Sequence, residues 1–186
     1  MTTREYLAAL LPDTYRVLGI SLQPFSLGHA FLLERLQSPF LIGGREPLPG
    51  DLRRDITICT LSYPKAVKWV NARRAKWTMQ LRWLTSERFQ KGCWQFLDYL
   101  QKFHTHPQCW SHAGEGRQLG TPFLQAVKIT GMMHLGLSEL ESLCRPLSLA
   151  VWDYTAVWEL KDKLQMINET EKQAMEFAKE LHKTRN

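Results

Sequence analysis

No run of consecutive apolar residues in this chain approaches the roughly 18 needed to span a membrane, because Arg, Lys or Gln interrupts the longest stretches. A bilayer crossing is not expected. Glycine and proline are scarce, 11 and 9 of 186 residues, while 44% of the chain is hydrophobic. That balance excludes collagen-like, low-complexity and disordered classes and indicates a globular chain. Cysteine is also sparse. Cys59, Cys93, Cys109 and Cys144 lie far apart in a chain large enough to close a core without covalent staples, so reduced thiols are expected. The N-terminus, Met1-Thr2-Thr3-Arg4-Glu5, sets an acid beside its base, and Tyr6 to Leu11 is too short for a signal-peptide core, so the expected location is cytoplasmic.

Signatures of catalysis are missing too. There is no Gly-x-Ser-x-Gly elbow and no Gly-x-x-x-x-Gly-Lys loop, and Gly114-Glu115-Gly116 lacks both a third glycine and a preceding strand. Asp98 with Glu115, or Asp153 with Glu159, could be paired on paper as general acid and base, but solvated carboxylates on helix faces are far commoner. A non-enzymatic chain without a cofactor is the expectation.

What the sequence does contain is helix punctuation. Arg4 to Leu11 has short helical character ended by Pro12-Asp13, and Tyr15 to Gln23 is an apolar connector able to extend. Ser26 can cap an amphipathic helix through Leu36 that Ser38-Pro39 stops, and Asp51 is a good cap for Leu52 to Leu61. Pro64 opens a helix to about Leu84 whose apolar arc is Ala66, Val70, Trp77, Leu81 and Leu84. Ser86 to Phe103 repeats the period with Phe89, Cys93, Phe96, Leu97 and Leu100. Thr121-Pro122 opens a helix to about Leu135, Ser138 caps a short turn, Pro146 starts Leu147 to Met166, and Asn168 caps a charged last helix to His182. No hairpin signal interrupts the series. The expected fold is all-α: one compact multi-helix domain over 1–186 with a charged C-terminal helix, and a C-terminal subdomain over 121–186 would divide at the His- and Gly-containing loop near 104–120.

Charge is concentrated in the middle of the chain. Between Lys65 and Lys91 eight cations face one acid, Glu87, a local +7 against a total of +6. The basic patch consists of Lys65, Lys68, Arg73, Arg74, Lys76 and Arg82, interleaved with Trp69 and Trp83. Cations among tryptophans can hold phosphates and stack bases, or can grip an acidic protein, while a solvated helix face is the commoner explanation. Nucleic-acid binding through 65–91 is the competing function.

One constellation has metal-ligand residue types: His104, His106, Cys109 and His112, with Cys93 one helix back. Structural zinc sites usually set two ligand pairs apart across a fold-forming segment, whereas these four crowd one loop, so no metal is expected there. In the last long helix Leu147, Val151, Tyr154 and Trp158 form one stripe, with Trp152 to its side and expected to stay exposed. Trp152, Tyr154, Trp158, Trp69 and Trp83 are therefore the candidate contacts for a protein partner, since Trp and Tyr anchor interfaces.

Three stretches carry a resemblance. Leu22-Gln23-Pro24-Phe25-Ser26-Leu27-Gly28-His29-Ala30-Phe31-Leu32-Leu33-Glu34-Arg35-Leu36 resembles the opening of small helical phage and prophage tail assembly chaperones, in which a Leu-Gly-containing cap leads into a helix with a Leu-Glu pair. Leu135-Gly136-Leu137-Ser138-Glu139-Leu140-Glu141, followed by Pro146-Leu147-Ser148-Leu149-Ala150-Val151-Trp152-Asp153-Tyr154, is similar to their later part, and Asp55-Ile56-Thr57-Ile58-Cys59-Thr60-Leu61-Ser62-Tyr63 matches loosely. The His-rich loop and the Trp-rich basic helix depart from that family. The resemblance implies a non-catalytic protein that holds an apolar helical tape-measure protein until tail-tube subunits assemble around it.

Overall fold

The computed structural model describes residues 15–72, 85–103, 107, 109, 120–161, 165–167, 170, 171, 173–175 and 177. In order, its elements are β1 (Tyr15–Val17), β2 (Ile20–Leu22), α1 (Leu27–Arg35), α2 (Pro39–Ile42), α3 (Pro49–Thr60), α4 (Tyr63–Asn71), α5 (Ser86–Phe103), α6 (Phe123–His134), α7 (Glu139–Cys144) and α8 (Leu147–Glu159). The described chain is mostly helical, with one two-stranded sheet.

Caps set several helix starts. The Ser26 hydroxyl accepts the His29 N–H at 3.3 Å and the His29 ring returns the contact to the Ser26 N–H at 3.2 Å, so a histidine completes a capping box. Ser138 and Glu141 close a second box at α7. Asp51 is not the cap of α3 but its third residue. Pro49 has already opened the helix, and the Asp51 carboxylate reaches back to accept the Leu48 N–H at 2.9 Å. Pro39 starts the single turn of α2, whereas α1 ends earlier, capped by Leu36, where Gln37 takes a positive φ of 53° and the Ser38 N–H bonds back to the Leu33 carbonyl at 2.9 Å.

Helix α1 is central rather than amphipathic. It packs against α2, α3, α4, α6, α7 and α8, and Leu27, Gly28, His29 and Ala30 are buried in succession. Gly28 permits that crowding: a Cβ there would stand 2.3 Å from the Tyr63 ring of α4. The starts of α1 and α8 are tied by main-chain bonds, Leu27 N–H to the Arg145 carbonyl at 2.9 Å and Leu147 N–H to the Phe25 carbonyl at 2.8 Å. Around this axis lies an aromatic core of Phe25, Phe40, Phe96, Tyr99 and Phe103, with ring centroids 5.1–5.8 Å apart.

Helix α5 has the expected bounds and buries Phe96 and Leu100, with Phe89 and Cys93 packed against the core; Leu97 instead faces solvent. The hairpin is a finding the sequence reading missed. Strands β1 and β2 pair antiparallel through a Leu18-Gly19 turn in which both residues have positive φ, 52° and 82°. Leucine seldom adopts that conformation, so the pair carries little hairpin signal. It is held from outside. Gln95 accepts the Leu18 N–H at 2.8 Å, the Tyr15 hydroxyl bonds the Asp98 carboxylate, and Lys102 lies 5.9 Å from the Tyr15 ring centroid.

Helix α8 ends at Glu159, well before Met166, which instead bridges Cys109 and donates its N–H to the Glu159 carboxylate at 3.0 Å. The expected helices at Arg4–Leu11 and beyond Asn168, and Trp77, Leu81 and Leu84 of the apolar arc, fall wholly or largely outside the described residues. Ala66 of that arc is buried and Val70 packs against the core. No helix among the described residues is long and apolar enough to cross a membrane.

Candidate functional site

Helix α6 is apolar on two opposite sides. Pro122 precedes its first turn and leaves Ala126 to bond back to the Pro122 carbonyl at 3.0 Å. Its inner side, Val127, Thr130 and Gly131, is buried against α8, α7 and α1. Gly131 brings α7 close, since a Cβ would lie 3.1 Å from the Ser142 hydroxyl. Ile129, Met132 and Met133 point away from that contact and are 38%, 37% and 72% exposed. They recur at i, i+3 and i+4, so they share one outer face. Between Thr121 and Leu137 there is no acidic residue, and the one lysine, Lys128, pairs with Glu139 of α7 at 3.0 Å.

An aromatic ladder borders this helix along α8. Phe123 meets Tyr154 edge-on at 5.6 Å, and Tyr154 tilts against Trp158 at 6.1 Å. The ladder ends in a cation, Lys161, 5.3 Å from the Trp158 ring centroid and 2.9 Å from His134 Nε2 at the end of α6. Burial raises the Tyr154 phenol above its usual range, so the ladder carries no charge of its own near neutrality.

The sequence candidates fare differently. Trp152 is 3% exposed and belongs to the core, because α8 is buried on nearly every side of its first two turns. Its assignment as an exposed contact is corrected. Tyr154 and Trp158 are half-buried, and Trp69 packs against the core from α4. Of the basic patch, Lys65 and Lys68 are exposed on α4, while Arg73, Arg74, Lys76, Arg82 and Trp83 lie outside the described residues. So do His104, His106 and His112, leaving Cys109 half-buried with its thiol pushed up by burial. All four cysteines are free thiols. Asp98 and Asp153 are held by Tyr15 and Arg145 respectively, while Glu115, the carboxylate considered with Asp98, lies outside the described residues.

Two buried polar groups were not singled out in the sequence. His29 is locked between the Ser26 N–H on Nδ1 and the Leu61 carbonyl, 2.9 Å from Nε2, which fixes the neutral tautomer protonated at Nε2; burial lowers its pKa to about 4. Asp55, fully buried, receives Arg54 at 2.7 Å and the Ser38 hydroxyl, yet burial outweighs both and its pKa is raised. Both join secondary elements and neither faces the outer side of α6. No family model, curated protein or solved structure matches this chain.

Proposed function

We propose that this protein is a non-enzymatic binder of apolar helices, acting as a tail assembly chaperone that shields a tape-measure protein. The observation that carries the reading is the solvent-facing apolar side of α6, Ile129, Met132 and Met133, on a helix whose other side is already packed. Methionine suits such a surface because its flexible, polarizable side chain repacks against different partners, and an apolar groove reads a helix by anchors at i, i+3 and i+4. The resemblance of Leu22–Leu36 and Leu135–Tyr154 to tail assembly chaperones supplies the tape-measure partner, with the tail-tube protein as its successor on that partner.

The test is binding of a fluorescein-labelled 20-residue Leu/Ala-rich amphipathic helix, together with the solubility of a co-expressed tape-measure fragment. Met133→Ser with Ile129→Ser is expected to weaken peptide binding about tenfold and to lose the soluble fragment while the melting temperature holds. Unchanged capture by that double variant, with binding to a DNA duplex lost in Lys65→Ala/Lys68→Ala and steeply salt-dependent, would transfer the function to the basic helix.

A further inference from the structure

One buried side chain holds the place where the first and last named helices begin together. Ser26 precedes α1 and bridges Pro146, which precedes α8, and its two neighbours carry the main-chain ties, Leu27 N–H to the Arg145 carbonyl and Leu147 N–H to the Phe25 carbonyl. His29, 2% exposed, holds Ser26 from the first turn of α1: Nδ1 accepts the Ser26 N–H and stands 3.0 Å from the Ser26 hydroxyl, while the Nε2 N–H donates to the Leu61 carbonyl. Only a neutral ring makes this set of bonds. A proton added at Nδ1 turns the acceptor of the Ser26 N–H into a second donor and leaves that buried N–H without an acceptor. Among the described residues no carboxylate pairs with the ring to compensate. Of the helices packed on α1, α2 has no titratable group, α3 has Asp55, taken by Arg54 and Ser38, and Asp51, taken by Arg45, and α4 has the Tyr63 phenol, pushed up by burial. Lys128 of α6 pairs with Glu139 of α7, and Asp153 of α8 pairs with Arg145.

We propose that His29 is an acid-released latch: protonation of its ring frees the joined starts of α1 and α8, while α5 and the aromatic rings it carries stay packed. The latch is independent of what the outer side of α6 binds. Position makes it local, because Ser26 lies between both main-chain ties, and loosening it loosens Phe25 and Leu27 and with them Arg145 and Leu147. Helix α5 is fastened elsewhere, by the Tyr99 hydroxyl on the Gln23 carbonyl at 2.8 Å and by Gln95 on the hairpin turn. The direction follows from linkage. The ring's pKa in the closed junction is about 4, below the ordinary 6.5, so the latch holds above pH 6.5 and weakens as pH falls toward 4. Opening returns the ring to its ordinary pKa, which raises the opening constant about thirtyfold between pH 7.5 and 5.0.

The experiment is amide exchange on the full chain at pH 7.5 and 5.0, read as opening constants after division by the intrinsic exchange rate. Leu27 and Leu147, whose N–H groups cross the junction, should open about thirtyfold more readily at pH 5.0, while Tyr99 and Leu100 of α5 keep their protection. In His29→Gln the junction amides should open equally at the two pH values. A loss of protection that α5 shares makes the histidine a contributor to global stability alone and overturns the latch. No change at Leu27 and Leu147 of the parent overturns it whether or not the variant folds. Acid opening that persists in His29→Gln assigns the titration to another group and overturns it as well.

Discussion

Single side chains explain how tightly this fold is specified. Gly28 faces the Tyr63 ring at a distance no Cβ could occupy, and both residues sit on packed helices that cannot separate without opening the core. Gly28→Ala should therefore destabilise by about 2–3 kcal/mol, although alanine is the better helix former. Urea unfolding measures it, and a midpoint equal to the parent's would show that Tyr63 swings clear. His29 makes a prediction in pH. Its folded pKa near 4 lies below the ordinary 6.5, so its contribution is fully present above pH 6.5 and is lost as pH falls toward 4. The loss amounts to about 3 kcal/mol. Asp51, held low by Arg45, loses stability in the same direction, whereas the raised Asp55 has the opposite sign. The difference between parent and His29→Gln, followed from pH 7.5 to 4.5, isolates the histidine; a constant difference would contradict the neutral assignment. The Ser26 cap was legible because serine before an apolar run has one cheap use. His29 was not, since a histidine in a first turn looks the same whether water or a carbonyl receives it.

Elements were legible where their ends carry chemistry. Helices α5, α6 and α7 begin and end within a few residues of the positions that Ser86, Pro122 and Ser138 indicate, because caps and prolines act locally. Helix α8 stops short of its expected length. Nothing between Glu159 and Met166 breaks a helix by composition, but Met166 is bridged to Cys109, a contact that only the fold supplies. The hairpin was hidden for the same reason. Its turn relies on Gln95, Asp98 and Lys102, a stripe of α5 far away in sequence, and so the two strands cannot be read without their clasp. Gln95→Ala should cost about 1 kcal/mol by leaving the Leu18 N–H without its acceptor. Amide exchange at Leu18 provides the readout, and protection equal to the parent's would mean that the turn stands alone.

At the scale of the molecule, the interior reassigns one tryptophan. With Trp152 in the core, Trp152→Ala should cost about 3–5 kcal/mol, where an interface residue would have left the melting temperature in place. A Trp152→Ala protein that melts with the parent would restore its role at the surface. The candidate site moved from α8 to α6 for a reason periodicity cannot reveal: both helices are apolar nearly all round, and only the order of packing decides which has a side left over.

The ties between residues 25–27 and 145–147 also constrain how the chain can be made. Helix α1 is synthesised early, yet three of the helices that cover it, α6, α7 and α8, emerge from the ribosome after all the other named elements. During translation the apolar run Leu27–Leu33 must wait, partly uncovered, while most of the chain is still being added. Such a delay slows folding, because a nucleus joining the two ends closes a long loop before any contact rewards it. The chain would thus itself need its apolar run sheltered until α8 arrives.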